Sequence, residues 1–148
     1  MPDDSENTEL VRKILASQYL AVLASAKNNR PYTSLVAFAS TEDLKSIFFV
    51  TGRYTRKYLN IEANENVSLL IDSRSSYPSD LSVAIALTVI GKVEEVEETG
   101  RAGYVAIYLL KHPGLEHFVN SSDSAFMKVI VSDYIIAGFD KTRHLAVA

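Results

Sequence analysis

The sequence predicts a mainly β fold of the α+β class, a closed or partly closed antiparallel barrel of about six strands with three or four peripheral helices. Three observations predict it. Apolar segments of β type recur along the chain, the connections between them are too short for parallel crossovers, and helical periodicity is confined to a few segments. Closure of the sheet removes exposed edges, which are an aggregation hazard for strands this apolar.

The chain opens with a helix and a β-hairpin. Residues 1–17 predict an N-terminal helix, because Leu10, Ile14 and Leu15 make one apolar stripe at helical spacing. Two strands follow, YLAVLASAK and YTSLVAFAS, separated by an Asn-Asn-Arg-Pro turn. Asparagine tolerates the left-handed backbone conformation that tight hairpins need, so these two strands are expected to pair.

The middle of the chain places one helix among three strands. SIFFVT is the third strand, RYTRKYLNIEAN is the helix after it, and NVSLLIDS is the fourth strand. The next segment, LSVAIALTVIGKVEEVEE, alternates apolar and polar residues in its second half. It therefore predicts one long strand that bends at Gly91.

The last third of the chain predicts two helices and the final strand. ETGRAGYVAIYLLK is a helix that ends at Pro113-Gly114, and a further short helix is expected through LEHFVN. AFMKVIVSDYIIAGF is the sixth strand, with a turn or bulge at Asp133, and residues 140–148 are predicted to be a tail. Residues 1–148 are expected to form a single domain.

Composition excludes several classes of function. The formal net charge of −3 argues against nucleic-acid binding, and no apolar stretch is long enough to cross a membrane. The absence of cysteine excludes thiolate chemistry and, with the acidic start of the chain, favours a cytoplasmic protein. His112 and His117 flank the helix-breaking Pro113-Gly114 pair, so both are expected at the surface and no metal site is predicted.

Residues 48–60, FFVTGRYTRKYLN, collect cations and hydroxyls where the third strand meets the following helix. If this helix starts near Tyr54, free backbone N–H groups favour an anion there, whereas cationic side chains oppose the helix dipole. A bound phosphate resolves the conflict, because charged hydrogen bonds contribute about 1.5–3 kcal/mol each against a dipole penalty of about 0.3–1 kcal/mol per cation. The alternative is a solvated helix face, and neither the Rossmann nor the P-loop fingerprint is present.

Three segments, RPYTSLVAF, IFFVTGRYTRKYLNIEANENVSLLID and ALTVIGKVEEVEE, resemble the pyridoxamine 5'-phosphate oxidase-like family of FMN-binding split barrels. The resemblance runs from Tyr19 to Phe139 and is sharpest at Thr55-Arg56-Lys57. It implies a split β-barrel that binds FMN and acts as a flavin-dependent oxidoreductase on a small-molecule substrate or electron partner. It also implies a homodimer with cofactor sites at the twofold interface.

The resemblance assigns cofactor-binding roles by position. Thr55, Arg56 and Lys57 correspond to the family's phosphate clamp, with Thr51 and Arg53 alongside. The family's second strand passes along the flavin ring, which implicates Thr33, Ser34, Leu35 and Val36. Tyr54, Tyr58 or a residue of the other chain would close the pocket, and no catalytic residue is assigned.

Departures from the family pattern leave alternatives open. Oxidases of pyridoxamine phosphate carry an arginine about where Ser34 stands and end in a segment rich in Trp and Arg, whereas this chain has no tryptophan. Oxidation of pyridoxamine phosphate itself is therefore not expected. A deazaflavin-dependent reductase is the second hypothesis, since Ser34 leaves one phosphate contact missing. The third is a non-catalytic flavin- or haem-binding module, in which His144 would ligate haem iron; a disordered or dimer-contacting tail is the alternative role for that segment.

Overall fold

A computed structural model describes residues 4–73, 84–138 and 141–147 of the chain. The helices are α1 Asp4–Ser17, α2 Arg56–Ala63, α3 Ala102–Lys111 and α4 Glu116–Asn120. The strands are β1 Leu20–Lys27, β2 Arg30–Ala37, β3 Ala39–Ser40, β4 Ser46–Gly52, β5 Asn66–Asp72, β6 Ala86–Glu95, β7 Ser124–Ala137 and β8 Thr142–Ala146. Within these ranges, no helix is both long and apolar enough to span a lipid bilayer.

The strands form one curled antiparallel sheet in the order β2-β1-β5-β6-β7-β4-β3, and β8 pairs with β7 outside this path. The sheet curls until β2, at one end of the order, contacts β4 near the other end. The predicted fold class, a split barrel with peripheral helices, is therefore confirmed. The six predicted strands correspond to β1, β2 and β4 to β7, and the short β3 and β8 are additional.

The hairpin between β1 and β2 turns on two asparagines, as predicted. Asn28 and Asn29 have φ values of 53° and 61°, and Lys27 pairs with Arg30 directly across the turn. Consecutive left-handed residues are the signature of the type I′ turn, whose twist matches that of paired strands. The turn fixes the register along the whole hairpin, through to Leu20 opposite Ala37.

The predicted bend at Gly91 coincides with a β-bulge. The register between β6 and β7 shifts between Ile90 and Gly91, so that Ser132 is the extra residue of β7, next to the predicted irregularity at Asp133. Gly91 is required here for space, because a Cβ atom would lie 2.4 Å from the carbonyl oxygen of Ile130. The predicted beginning of this strand, residues 81–83, lies outside the described residues, as does Phe139 at the end of the sixth.

The segment predicted to be a tail contains strand β8. Thr142–Ala146 pairs with β7, which places His144 opposite Ile135 with its ring exposed. The Arg143 guanidinium donates a hydrogen bond to the Asn7 side chain of α1. Asp140 and Ala148, the ends of the predicted tail, lie outside the described residues.

Two hydrophobic clusters hold the fold. The larger one fills the barrel interior, and the smaller one packs Phe48, Val50 and Phe126 of the outer sheet surface beneath Tyr108 of α3 and Val119 of α4. Both faces of β4 are therefore buried, which explains its continuous apolar run.

The C-terminal turn of α3 donates three hydrogen bonds to backbone carbonyl groups of neighbouring elements. Tyr108 donates to Ala37, the His112 ring bonds the Phe38 carbonyl at 2.7 Å, and the Lys111 ammonium donates to Leu15 at the end of α1. His112 is accordingly half-buried, whereas a surface position was predicted, and His117 is exposed as predicted. Burial lowers the pKa of Lys111 to about 8.

We expect Gly91→Ala to destabilise the fold by about 1–3 kcal/mol, the usual cost of forcing extra volume into a packed region. Urea denaturation measures the free energy of unfolding. Gly103→Ala is the matched control, because a Cβ there meets no atom within 4 Å. A Gly91→Ala protein as stable as the Gly103→Ala protein would contradict the close approach of β6 and β7.

Candidate functional site

Thr55 begins the helix that follows β4. Its side chain accepts a hydrogen bond from the Tyr58 backbone N–H at 3.3 Å, so it is the N-cap and α2 starts at Arg56 rather than near Tyr54. Threonine is a favoured N-cap because its hydroxyl satisfies one of the helix's unpaired donors. The predicted cations Arg56 and Lys57 consequently occupy the first two positions of the helix, where the dipole favours anions.

Thr51 and Thr55 connect the end of β4 to the N-cap. The two hydroxyl oxygens lie 2.8 Å apart, and the Thr55 hydroxyl donates to the Gly52 carbonyl at 2.9 Å. The Thr51 hydroxyl also lies 3.2 Å from the Gly52 carbonyl oxygen, so one hydroxyl donates to this carbonyl while the other donates within the hydroxyl pair. Thr51 is fully buried. The hydroxyls predicted to bind a phosphate thus also hold the turn in shape.

The Arg53 guanidinium is paired with Glu95 at the end of β6. The ion pair is bidentate, with Nη2 to Oε2 at 2.7 Å and Nη1 to Oε1 at 2.9 Å. Tyr58 joins the group, since its hydroxyl donates to Glu95 at 2.7 Å and accepts from Arg53 at 3.1 Å. Arg53 lowers the pKa of Glu95. The charge of Arg53 is therefore balanced within the protein, and Tyr58 is turned toward β6.

Arg56 and Lys57 lack such a partner. Neither forms an ion pair with a carboxylate of the described residues. The Arg56 guanidinium lies over the Tyr32 ring, 5.3 Å from its centroid, and burial lowers the pKa of Lys57. Two positive charges thus remain uncompensated in the first turn of α2, one of them partly withdrawn from water.

The four residues predicted on β2 divide between the two faces of the strand. Ser34 and Val36 share the face of Tyr32, whereas Thr33 and Leu35 face the outside of the barrel. Val36 is buried in the barrel core, so its side chain is not available to a ligand. The Ser34 hydroxyl is buried and has no hydrogen-bond partner. β2 is also an edge strand of the sheet, which leaves backbone groups along one side unpaired by a neighbouring strand.

Two residues of this region were missed from the sequence. Glu95 carries no local signal of its role, because its partner Arg53 lies far away in sequence. Tyr32 carried a weak signal, as an aromatic residue next to the predicted ring-binding strand. Among the described residues, no three His, Asp or Glu side chains are grouped as a metal site would require.

Comparison with known families identifies the fold. A family model described as pyridoxamine 5'-phosphate oxidase matches residues 8–132, which include α2, the β4 turn and most of the sheet. The chain belongs to the pyridoxamine 5'-phosphate oxidase family. No curated protein matches the chain in a sequence search.

Solved structures show the same fold at low sequence identity. A haem-binding protein from Mycobacterium smegmatis has a TM-score of 0.83 at 18% identity over 99% of this chain, which spans 59% of that protein. A protein of the pyridoxinephosphate oxidase family from Clostridium acetobutylicum, related to general stress protein 26, has a TM-score of 0.71 at 13% identity, with 98% and 96% of the two chains covered. An FAD-binding protein from Mesorhizobium loti has a TM-score of 0.69 at 16% identity, with 85% and 88% covered.

We expect Arg53 and Glu95 to couple energetically in this member of the pyridoxamine 5'-phosphate oxidase family. A double-mutant cycle with Arg53→Gln and Glu95→Gln should give about 0.2–1 kcal/mol at neutral pH, the range of exposed ion pairs. The folded-state pKa of Glu95 is lowered, so the stabilisation is present above its unfolded value and is lost as the pH falls through the folded one. Cycles at neutral and acidic pH measure this, and a coupling that persists when Glu95 is protonated would contradict it.

Proposed function

We propose that the protein binds a flavin, with the cofactor's phosphate at the N-terminus of α2, and acts as a flavin-dependent oxidoreductase. The observation that carries the proposal is the pair of unpartnered cations, Arg56 and Lys57, beside the turn capped by Thr55. FMN is the flavin that family membership favours. The Mesorhizobium loti neighbour, described as FAD-binding, supports a flavin in this fold.

Electrostatics favour a dianion at this position. The backbone N–H groups at the start of α2 attract an anion, and so do both cations. Arginine can bind two phosphate oxygens, and lysine adds a compact charge. Burial has partly desolvated the Lys57 ammonium, and no carboxylate of the described residues pairs with it. A bound phosphate would supply a negative charge beside it.

The buried Ser34 hydroxyl tests whether the residues fit such a group. An unpaired buried hydroxyl is costly, and it lies on the β2 face that carries Tyr32, against which Arg56 packs. A polar ligand atom at this place would satisfy it. The residues therefore fit a phosphate with a short polar extension toward β2, even without the arginine found at this position in oxidases of pyridoxamine phosphate.

The proposed roles of the other residues follow from their contacts. Arg53 holds the turn in position through Glu95 rather than binding the phosphate. The backbone of residues 33–36 would lie along the flavin, because the edge of β2 offers unpaired donors and acceptors. A bound flavin would supply the electron-transfer chemistry, and the protein would orient it and limit its access to water.

The outer face of the sheet supports a homodimer. Leu35, Val22 and Leu70 stand side by side on adjacent strands, and Leu35 and Leu70 are 62% and 40% exposed. Tyr19 and Leu20 extend this surface and line, with those residues, a cleft of about 490 Å³. An apolar face of this kind, on the strand proposed to bind the flavin, fits a second copy of the chain.

Haem binding is the second candidate. It is favoured by the similarity to the Mycobacterium smegmatis haem-binding protein, which extends over 99% of this chain. His144 on β8 is exposed and at the outer face of the sheet, where it could reach iron.

We expect Arg56→Gln and Lys57→Gln each to weaken FMN binding about 10- to 100-fold, the effect of losing one charged hydrogen bond. Quenching of flavin fluorescence measures the Kd. Lys92→Gln is the matched control, since Lys92 is an exposed lysine on β6 that pairs with Glu65. Arg53→Gln should have a smaller effect, because Glu95 already engages its guanidinium.

Titration of the same preparations with haem separates the two candidates. Absence of FMN binding, together with a Soret band that His144→Ala removes, would overturn the flavin proposal in favour of haem. FMN binding that is unaffected by all of these substitutions would place the phosphate elsewhere.

We expect Leu35→Glu to convert a dimer into a monomer, because it places a charge in the centre of the apolar face. Light scattering after size-exclusion chromatography measures the mass. Leu110→Glu is the control, since Leu110 is 87% exposed on α3, away from this face. A Leu35→Glu protein that remains dimeric would show that the subunits associate through another surface.

A further inference from the structure

The β1–β2 hairpin presents two more cations on the face that packs against α2. Asn60 of α2 donates a hydrogen bond to Ser25 at 3.2 Å, and Ser25 pairs across the hairpin with Tyr32. Two pairs further toward the turn, and so on the same face by strand alternation, Lys27 stands directly opposite Arg30. Both side chains are exposed.

These cations lie close to the start of α2. The Arg56 guanidinium packs over Tyr32, and Arg30 is two residues further along β2, about 6–7 Å at the rise of a strand. Cross-strand neighbours such as Lys27 and Arg30 have Cβ atoms about 4.5–5.5 Å apart. The long side chains of Lys27, Arg30 and Arg56 can therefore converge on one small group.

The arrangement is unfavourable without an anion. Like charges directly opposite each other on paired strands are destabilising. The whole of β1 and β2, from Leu20 to Ala37, contains no acidic residue. Ion pairs seen among the described residues use Arg12, Arg53 and Lys92, and none uses a cation of the hairpin.

An exposed aromatic ring lies at the same end of the barrel. Tyr54, in the turn just before the N-cap Thr55, is 83% exposed. A tyrosine this exposed contributes little to the core, and its flat face is suited to stacking with a base.

We propose that Lys27 and Arg30 bind a second phosphate joined to the one at α2, so that the cofactor is a dinucleotide flavin, FAD, whose adenine stacks on Tyr54. This inference rests on the proposed flavin function and names the ligand of the same site. The patch is a single strand pair wide, and the net charge of the chain is −3. A small pyrophosphate fits these properties better than a nucleic acid, which requires an extended basic surface.

The test compares FMN, FAD and ADP on the full chain by titration calorimetry. Wild-type protein should bind FAD more tightly than FMN. The double variant Lys27→Gln/Arg30→Gln should weaken FAD and ADP about tenfold or more, with little effect on FMN. Tyr54→Ala should likewise weaken FAD and ADP but not FMN. Lys13→Gln/Lys92→Gln is the control for general charge effects, and circular dichroism checks that each variant is folded.

The outcomes separate this inference from the proposed function. Binding of FMN with equal or weaker binding of FAD would overturn the dinucleotide site and leave the flavin function standing. The same is true if the double variant affects FMN and FAD equally. Binding of ADP that depends on Lys27 and Arg30, without binding of either flavin, would support the pyrophosphate site and overturn the flavin function.

Discussion

The candidate site depends on two positive charges at the N-terminus of a helix, where the helix dipole disfavours cations. Arg56 and Lys57 occupy the first turn of α2, where each cation costs about 0.3–1 kcal/mol against the helix dipole. Arg53, three residues earlier, is neutralised by a bidentate bond to Glu95, whereas no carboxylate of the described residues forms an ion pair with Arg56 or Lys57. Had all three been solvated surface charges, there would be no reason for this difference. The division is expected if the first cation fixes the turn and the next two face a ligand.

The barrel supplies the rigidity that this arrangement needs. β4 is buried on both faces, by the barrel core on one and by the cluster beneath α3 and α4 on the other. The Arg53 backbone N–H donates to the Asp123 carbonyl at 2.8 Å, which ties the turn to the start of β7. Helix α3 also holds the end of β2, because its Tyr108 hydroxyl donates a hydrogen bond to the Ala37 carbonyl. One peripheral helix therefore fixes both strands of the site relative to each other.

Local chemistry could be predicted from the sequence, and long-range partners could not. The Asn28–Asn29 turn and the bend at Gly91 followed from residues whose backbone conformation or size has few alternatives. The pairing of Arg53 with Glu95 has no local signal, because it joins two strands through the order of the sheet. β8 was missed for the same reason, since its short mixed sequence becomes a strand only when the edge of β7 is available. Which face of β2 carries Ser34 depended on a register set by the hairpin.

A slightly acidic protein can hold a cationic site because charge acts locally in salt solution. The Debye length is about 8 Å at physiological ionic strength, so an anion at α2 is influenced by Arg56 and Lys57 and hardly by the distant carboxylates. A long polyanion would also meet the acidic remainder of the surface, because the whole chain, with its cationic cluster included, has a net charge of −3. The proposed site would therefore favour a small phosphorylated ligand over a long polyanion. The buried Ser34 hydroxyl, which has no hydrogen-bond partner, would favour a ligand with a polar atom directed toward β2.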